Sequence, residues 1–136
     1  MANRWLVKTE PGAYSFQQLQ KDKRTAWDGV KNNLALIHIR AVRKGDWVMV
    51  YHSGKEKSVM GIARATSDAY PDPSKKDPKL AVFDLEASKA LPRPVTLAEI
   101  KAQPKLKTLD LIRISRLSVM PVNDEQWKII TGLAEK

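Results

Sequence analysis

The run Trp47-Val-Met-Val-Tyr-His-Ser53, with the Gly54-Lys-Glu-Lys57 segment after it, constrains the fold more than any other part of the chain. Its branched and aromatic residues predict a strand over Asp46–Ser53, a turn at Gly54–Lys57 and a returning strand over Ser58–Ser67. Trp47, Met49 and Tyr51 point one way and Val48, Val50 and His52 the other, so both faces are partly apolar. An open sheet with a wet face would alternate apolar with polar residues. A barrel, or a sheet covered on both sides, fits the pattern instead.

The flanking sequence supplies the rest of the architecture. Arg4–Thr9 reads as a strand stopped by Pro11 and Gly12. Ser15 is placed to cap a short helix over Phe16–Lys21, with Gln18 positioned for a capping box. Lys21–Thr25 reads as a polar loop and Trp27-Asp28-Gly29 as a turn. Asn32 or Asn33 caps a helix over Leu34–Val42, whose expected inner face is Leu34, Ile37, His38 and Ala41, with Gly45 as its stop. Tyr70–Pro78 reads as a proline-rich turn or loop. Leu80–Leu91 alternates as a strand with one wet face, ended by Pro92 and Pro94. Thr96 and Glu99 form a capping box opening a helix to about Ala102. Ser115–Val122 is expected to be a strand. Asn123 caps a final helix to about Leu133, with Trp127, Ile130 and Leu133 inward. This order is neither alternating βαβ nor all-β. It predicts a single α+β domain over residues 1–136, a mostly antiparallel barrel with helices packed around it.

Composition narrows the chemistry. The chain has no cysteine, which excludes disulfides and thiolate metal sites. Two histidines, His38 and His52, exclude a histidine-rich metal centre, while a carboxylate site for a hard cation stays open. No nucleophile–base motif, phosphate-cradling glycine loop or zinc-deaminase ligand set is present, so no cofactor, metal site or catalytic residue is expected. Met1–Glu10 lacks a long apolar run, and no stretch approaches the roughly 18 apolar residues of a membrane span. A cytoplasmic protein without membrane contact is the expectation. No heptad pattern suggests a coiled coil, and a monomer is favoured. The net charge of +9 sits mainly in the first half, where 12 Lys/Arg face 6 Asp/Glu. Polyphosphates, nucleic acid among them, are the obvious partner for such a field; a solubility charge is the plainer reading.

Four segments carry more polar and aromatic punctuation than folding requires: Trp5-Leu-Val-Lys-Thr-Glu-Pro11, Trp27-Asp-Gly-Val-Lys-Asn-Asn33, Gly45-Asp-Trp-Val-Met-Val-Tyr-His-Ser53 and Arg116-Leu-Ser-Val-Met-Pro-Val122. Within and between them stand Lys8-Thr9-Glu10-Pro11, Tyr14-Ser15-Phe16, Trp27-Asp28-Gly29-Val30-Lys31-Asn32, Gly45-Asp46, Tyr51-His52-Ser53, Tyr70-Pro71-Asp72-Pro73, and Arg116-Leu117-Ser118-Val119 with Pro121-Val122. In this order they resemble the ordered blocks of the EVE domain family, a branch of the PUA-like fold. The resemblance covers nearly the whole chain. It implies a pseudo-barrel of about five or six strands with surrounding helices. It also implies relation to RNA-binding YTH and PUA modules and to readers of modified bases. Lys31 stands where the family commonly has arginine, and Asn33-Leu-Ala-Leu36 replaces the usual aromatic- and glutamine-containing helix start.

A base taken out of its stack needs a π-face and fixed donors and acceptors for its edge. Trp5 and Trp27 are candidate stacking surfaces, or plain core residues. Lys8 and Glu10, two apart on one strand, project to one face and can read opposite polarities of a base edge, or pair with each other. Asn32 offers an amide but also an N-cap. Gly29 and Val30 lie between Trp27 and Asn32 in the same block and join the site with it. Tyr51 and Ser53 share a strand face. His52, opposite them, is either structural or part of the pocket. Lys31, Arg43, Lys44 and Arg116 are candidates for flanking phosphates. The leading reading is a module that binds a flipped, modified base in DNA or RNA without chemistry. A nucleobase- or nucleotide-modifying enzyme and a protein-interaction domain with a vestigial pocket are the alternatives.

Overall fold

The structure is a computed structural model that describes residues 3–136. In chain order its elements are β1 (Arg4–Thr9), α1 (Phe16–Asp22), β2 (Arg24–Trp27), α2 (Asn33–Arg40), β3 (Trp47–His52), β4 (Ser58–Ala65), β5 (Tyr70–Pro71), β6 (Ala81–Thr96), α3 (Leu97–Lys101), a 3-10 turn (Pro104–Leu106), α4 (Asp110–Arg113), β7 (Val119–Pro121) and α5 (Asp124–Ala134). The sheet runs β2-β6-β4-β3-β1-β7, with the short β5 added to β6. β1 pairs with β3 in parallel, because α1, β2 and α2 intervene between them; every other pairing is antiparallel. β3 and β4 are central, and Val48–His52 is buried throughout, so both faces of that strand are covered as its pattern requires. The fold is the expected α+β, PUA-like, curled sheet with helices around it. α2 packs against both β6 and β7, near opposite ends of the sheet, and fills the gap between them.

Helix starts follow the sequence closely. Ser15, Asn32, Thr96 and Asn123 each accept a backbone N–H from the first turn of their helix. At Thr96 and Asn123 the reciprocal bond of the capping box is also made. At Ser15 it is not, since the Gln18 amide donates instead to Asp22 at 2.8 Å.

Six expectations need correction. Arg24–Trp27, taken as loop and turn, is an edge strand paired with β6. α2 turns the other way: it buries Ala35, Leu36 and Ile39, and leaves Leu34 and Ile37 38% and 54% exposed. The segment LALIHI is apolar nearly all round, so periodicity alone offers two inner faces. Gly45 is not the stop of α2. It adopts φ +95° in the turn before β3 and donates its N–H to the Ala65 carbonyl at 2.8 Å. β6 runs through Pro92 and Pro94 to Thr96. Its register against β4 jumps from Gly61↔Ala90 to Val59↔Val95, so both prolines fall in a bulge that asks no ladder N–H of them. The strand expected over Ser115–Val122 shrinks to Val119–Pro121. Trp127 is only partly buried on α5, under the Arg4 guanidinium 5.6 Å from its ring centre.

The α3 cap is expected to make stability depend on pH. Arg93 grips the Glu99 carboxylate at 2.9 and 2.6 Å, and the Thr96 N–H adds a third bond. The Arg93 bond, then the Thr96 bond, hold the Glu99 carboxyl down at about 2. A carboxyl lowered by folding contributes its full stability above its unfolded value and loses it as pH falls through the folded one. Melting temperature of the wild type is therefore expected to fall between about pH 4.5 and pH 2 more steeply than that of Glu99→Gln. Parallel melting curves for the two proteins would remove this assignment.

Candidate nucleic-acid interface

Curling brings the two ends of the sheet together, and a cleft of about 530 Å³ opens where they meet. One wall is Lys8 and Thr9 of β1, with Ser118 just before β7; the other is Thr25, Ala26 and Trp27 of β2. Ala13 and Tyr14, ahead of α1, and Asp28–Lys31, after β2, complete the rim. The volume falls within the range of small-ligand sites.

Trp27 is 7% exposed and packs edge-on against Tyr14, ring centres 6.2 Å apart at 81°. Its side chain is among the groups that line the cleft. Tyr14 is fixed by its hydroxyl, which donates to Asp22 at 2.9 Å, and by Thr9, whose hydroxyl donates to the Tyr14 carbonyl at 2.6 Å. Burial, then the Asp22 bond, raises the Tyr14 hydroxyl above its usual value, so it stays a neutral donor. Gly29, just past the end of β2, adopts φ +79°, where a side chain would be strained.

The polar groups are held. Lys8 does not pair with Glu10. Its ammonium donates to the Ser115 carbonyl at 2.7 Å and lies 5.8 Å from the centre of the Tyr51 ring. Burial lowers its pKa. Glu10 lies just past β1, and one carboxylate oxygen accepts the Gly12 N–H at 2.9 Å. Lys8 and Lys31 face Glu10 and Asp28, so the cleft balances two cations against two carboxylates. A balanced, part-apolar slot suits a neutral heterocycle better than a phosphate.

The cleft thus gathers Lys8, Glu10, Trp27, Gly29, Val30 and Lys31 of the anticipated residues. Others lie elsewhere. Trp5 is core, 5% exposed, with its indole N–H donating to the buried Asp46 carboxylate at 2.9 Å. It lies outside the cleft and borders a separate groove with Arg4 and Pro121. Asn32 spends its side-chain oxygen on the Ala35 N–H at 3.0 Å as the cap of α2. Tyr51 is buried beneath Lys8, and burial raises its hydroxyl pKa. His52 is a structural link: Nε2 accepts the Phe16 N–H at 2.9 Å and Nδ1 lies 3.0 Å from Glu56, so the two bonds set the neutral tautomer with its proton on Nδ1. Ser53 stays outside the lining, its N–H bonded to the Thr9 carbonyl. Arg43 folds back on the carbonyls of Arg40 and Val42 at the end of α2. Lys44 borders a different cleft. Arg116 is exposed on the turn that carries Ser115, without an ion pair among the described residues.

Sequence reasoning missed Tyr14, Asp28, Thr25 and Ser118. Tyr14 and Asp28 stood in plain view, one at a helix start and one in a turn. Thr25 was hidden because β2 was read as loop.

The fold has clear relatives. The chain is 29% identical to human thymocyte nuclear protein 1 over 100% of its own length and 76% of the human protein. A Rhodopseudomonas palustris protein solved by NMR superposes with a TM-score of 0.93 at 41% identity, over 98% of this chain and 94% of that one. The crystal structure of human THYN1 in complex with 5-methylcytosine-containing DNA superposes with a TM-score of 0.90 at 30% identity, over 99% of each chain. The EVE domain family matches residues 3–133, and the chain belongs to that family.

Proposed function

We propose that this protein is a nucleic-acid-binding module that receives a flipped, modified base in the cleft between β1 and β2. The observation that carries the reading is the juxtaposition, in one slot at the seam of the sheet, of the Trp27 wall with the held polar groups of Lys8, Glu10 and Tyr14. Flat carbon stacks on the base and the fixed groups read its edge. The human relative's complex with 5-methylcytosine DNA supports the ligand class. Binding without chemistry fits the geometry. Glu10, Lys8 and His52 are the groups nearest to acid–base work, and each is engaged by a neighbouring protein group. None is aimed at a nucleophile.

The test is a titration of labelled DNA and RNA, single-stranded and duplex, with and without 5-methylcytosine, at two salt concentrations. Tighter binding to a modified strand than to its parent is expected, weakening steeply with salt as counterions are released. Glu10→Gln is expected to narrow that preference. Absence of binding up to about 100 μM at low salt, weaker than ordinary non-specific affinities, overturns the reading. Mass analysis of the recovered strands is expected to show them unaltered; a changed base would make the protein an enzyme.

A further inference from the structure

Charge sets a second cleft apart from the first. At the Arg24 end of β2 lies a groove of about 580 Å³ lined by Arg24, Lys44, Arg64, Thr66 and Glu86, three cations against one carboxylate. Strand register builds it. Arg24 stands opposite Glu86 across β2 and β6, and Glu86 opposite Arg64 across β6 and β4. Arg64 stands opposite Trp47 on β3, its guanidinium 4.9 Å from the centre of the indole. Residues directly opposed across a sheet share a face, so these four form one surface row. Lys44 joins the row because the Gly45 N–H bonds the Ala65 carbonyl and the Lys44 N–H bonds Asp68, each at 2.8 Å. Among the described residues, Arg24 has only the long 3.5 Å contact with Glu86, and Arg64 and Lys44 have no ion-pair partner.

We propose that this groove binds a backbone phosphate of the strand whose base enters the β1–β2 cleft. The inference rests on the reader function. Stacking on Trp47 fixes the Arg64 fork in advance, so less entropy is lost when it grips an anion. An excess of two positive charges in a concave, polar groove concentrates anions, whereas the balanced base cleft does not. The two sites lie along one strand. Arg24 and Trp27 are three residues apart in β2, about 10 Å at strand rise, and their side chains leave opposite faces of this edge strand, so an oligonucleotide that engages both sites passes around the edge.

A phosphate contact positions the ligand and carries no base information. The test is the salt dependence of binding to 5-methylcytosine-containing duplex DNA and to its unmodified parent. It compares wild type, Lys44→Gln, and Arg24→Gln combined with Arg64→Gln. Lys44→Gln leaves both the Arg24–Glu86 contact and the Trp47 stack intact. Lys44→Gln and the double variant are each expected to lower the slope of log affinity against log salt, by up to about 0.9 for the loss of one phosphate contact. Both are expected to weaken binding severalfold at low salt, equally for the two DNAs, so that their affinity ratio is unchanged. Thermal melting establishes that each variant is folded. Folded variants with wild-type affinity and slope overturn the phosphate groove while the reader function stands. A changed affinity ratio also overturns it, since the groove would then read the base. A wild type that binds neither DNA overturns both.

Discussion

Replacing Gly61 with alanine is expected to lower the stability of the fold by about 1–3 kcal/mol or more. Gly61 lies in β4, and the Phe16 ring lies directly on its backbone. A β-carbon added there would sit 2.2 to 2.7 Å from three atoms of that ring. Phe16 is 1% exposed and opens α1, where its N–H is already tied to His52. Neither the ring nor the helix start has room to retreat, so the clash falls on core packing. Melting temperature is expected to fall by roughly 3–4 °C for each kcal/mol in a domain of this size. Phe16→Leu combined with Gly61→Ala is expected to cost less than the sum of the two single changes, because the shorter side chain makes room. The effect reaches the site too, since Tyr14 sits two residues before Phe16 and lines the cleft. An unchanged melting temperature in Gly61→Ala would show that the strand and helix yield easily.

Trp27→Ala is expected to weaken binding of the modified strand by about 1–3 kcal/mol, or roughly 5- to 150-fold, if the indole is the stacking wall. Trp27 is also 7% exposed and supports Tyr14, so truncation is expected to cost about 3–5 kcal/mol of stability. Folding and binding are separated by Trp27→Phe, which retains a π-face and much of the packing. Phenylalanine is expected to keep most of the affinity and alanine to lose it, both measured well below their melting temperatures. If the alanine protein binds as the wild type does, or the phenylalanine protein is as weak as alanine, Trp27 does not stack on the base.

The base cleft and the phosphate groove illustrate why net charge is a coarse guide. The chain carries +9, yet the slot suited to the base is balanced and the excess gathers beside it. Lys44 was legible as a phosphate candidate. Arg24 and Arg64, 40 residues apart in the chain, were not, because only the shared Glu86 register brings them together.

Local chemistry wrote much of this protein directly. Side-chain caps at Ser15, Asn32, Thr96 and Asn123 start helices where the sequence said they would, since a cap is made within three residues. The two-sided apolar run of β3 announced a covered sheet, and the ordered blocks identified the family. What tertiary structure alone decided was which face each ambiguous segment buries. LALIHI offered two inner faces, and packing against β6 and β7 chose the one with Ala35, Leu36 and Ile39. Trp5 and Trp27 looked alike as aromatic punctuation; the Asp46 carboxylate drew one inward, and the closing edge of the sheet set the other at a cleft. Such choices depend on partners distant in the chain, and no pattern within a single segment records them.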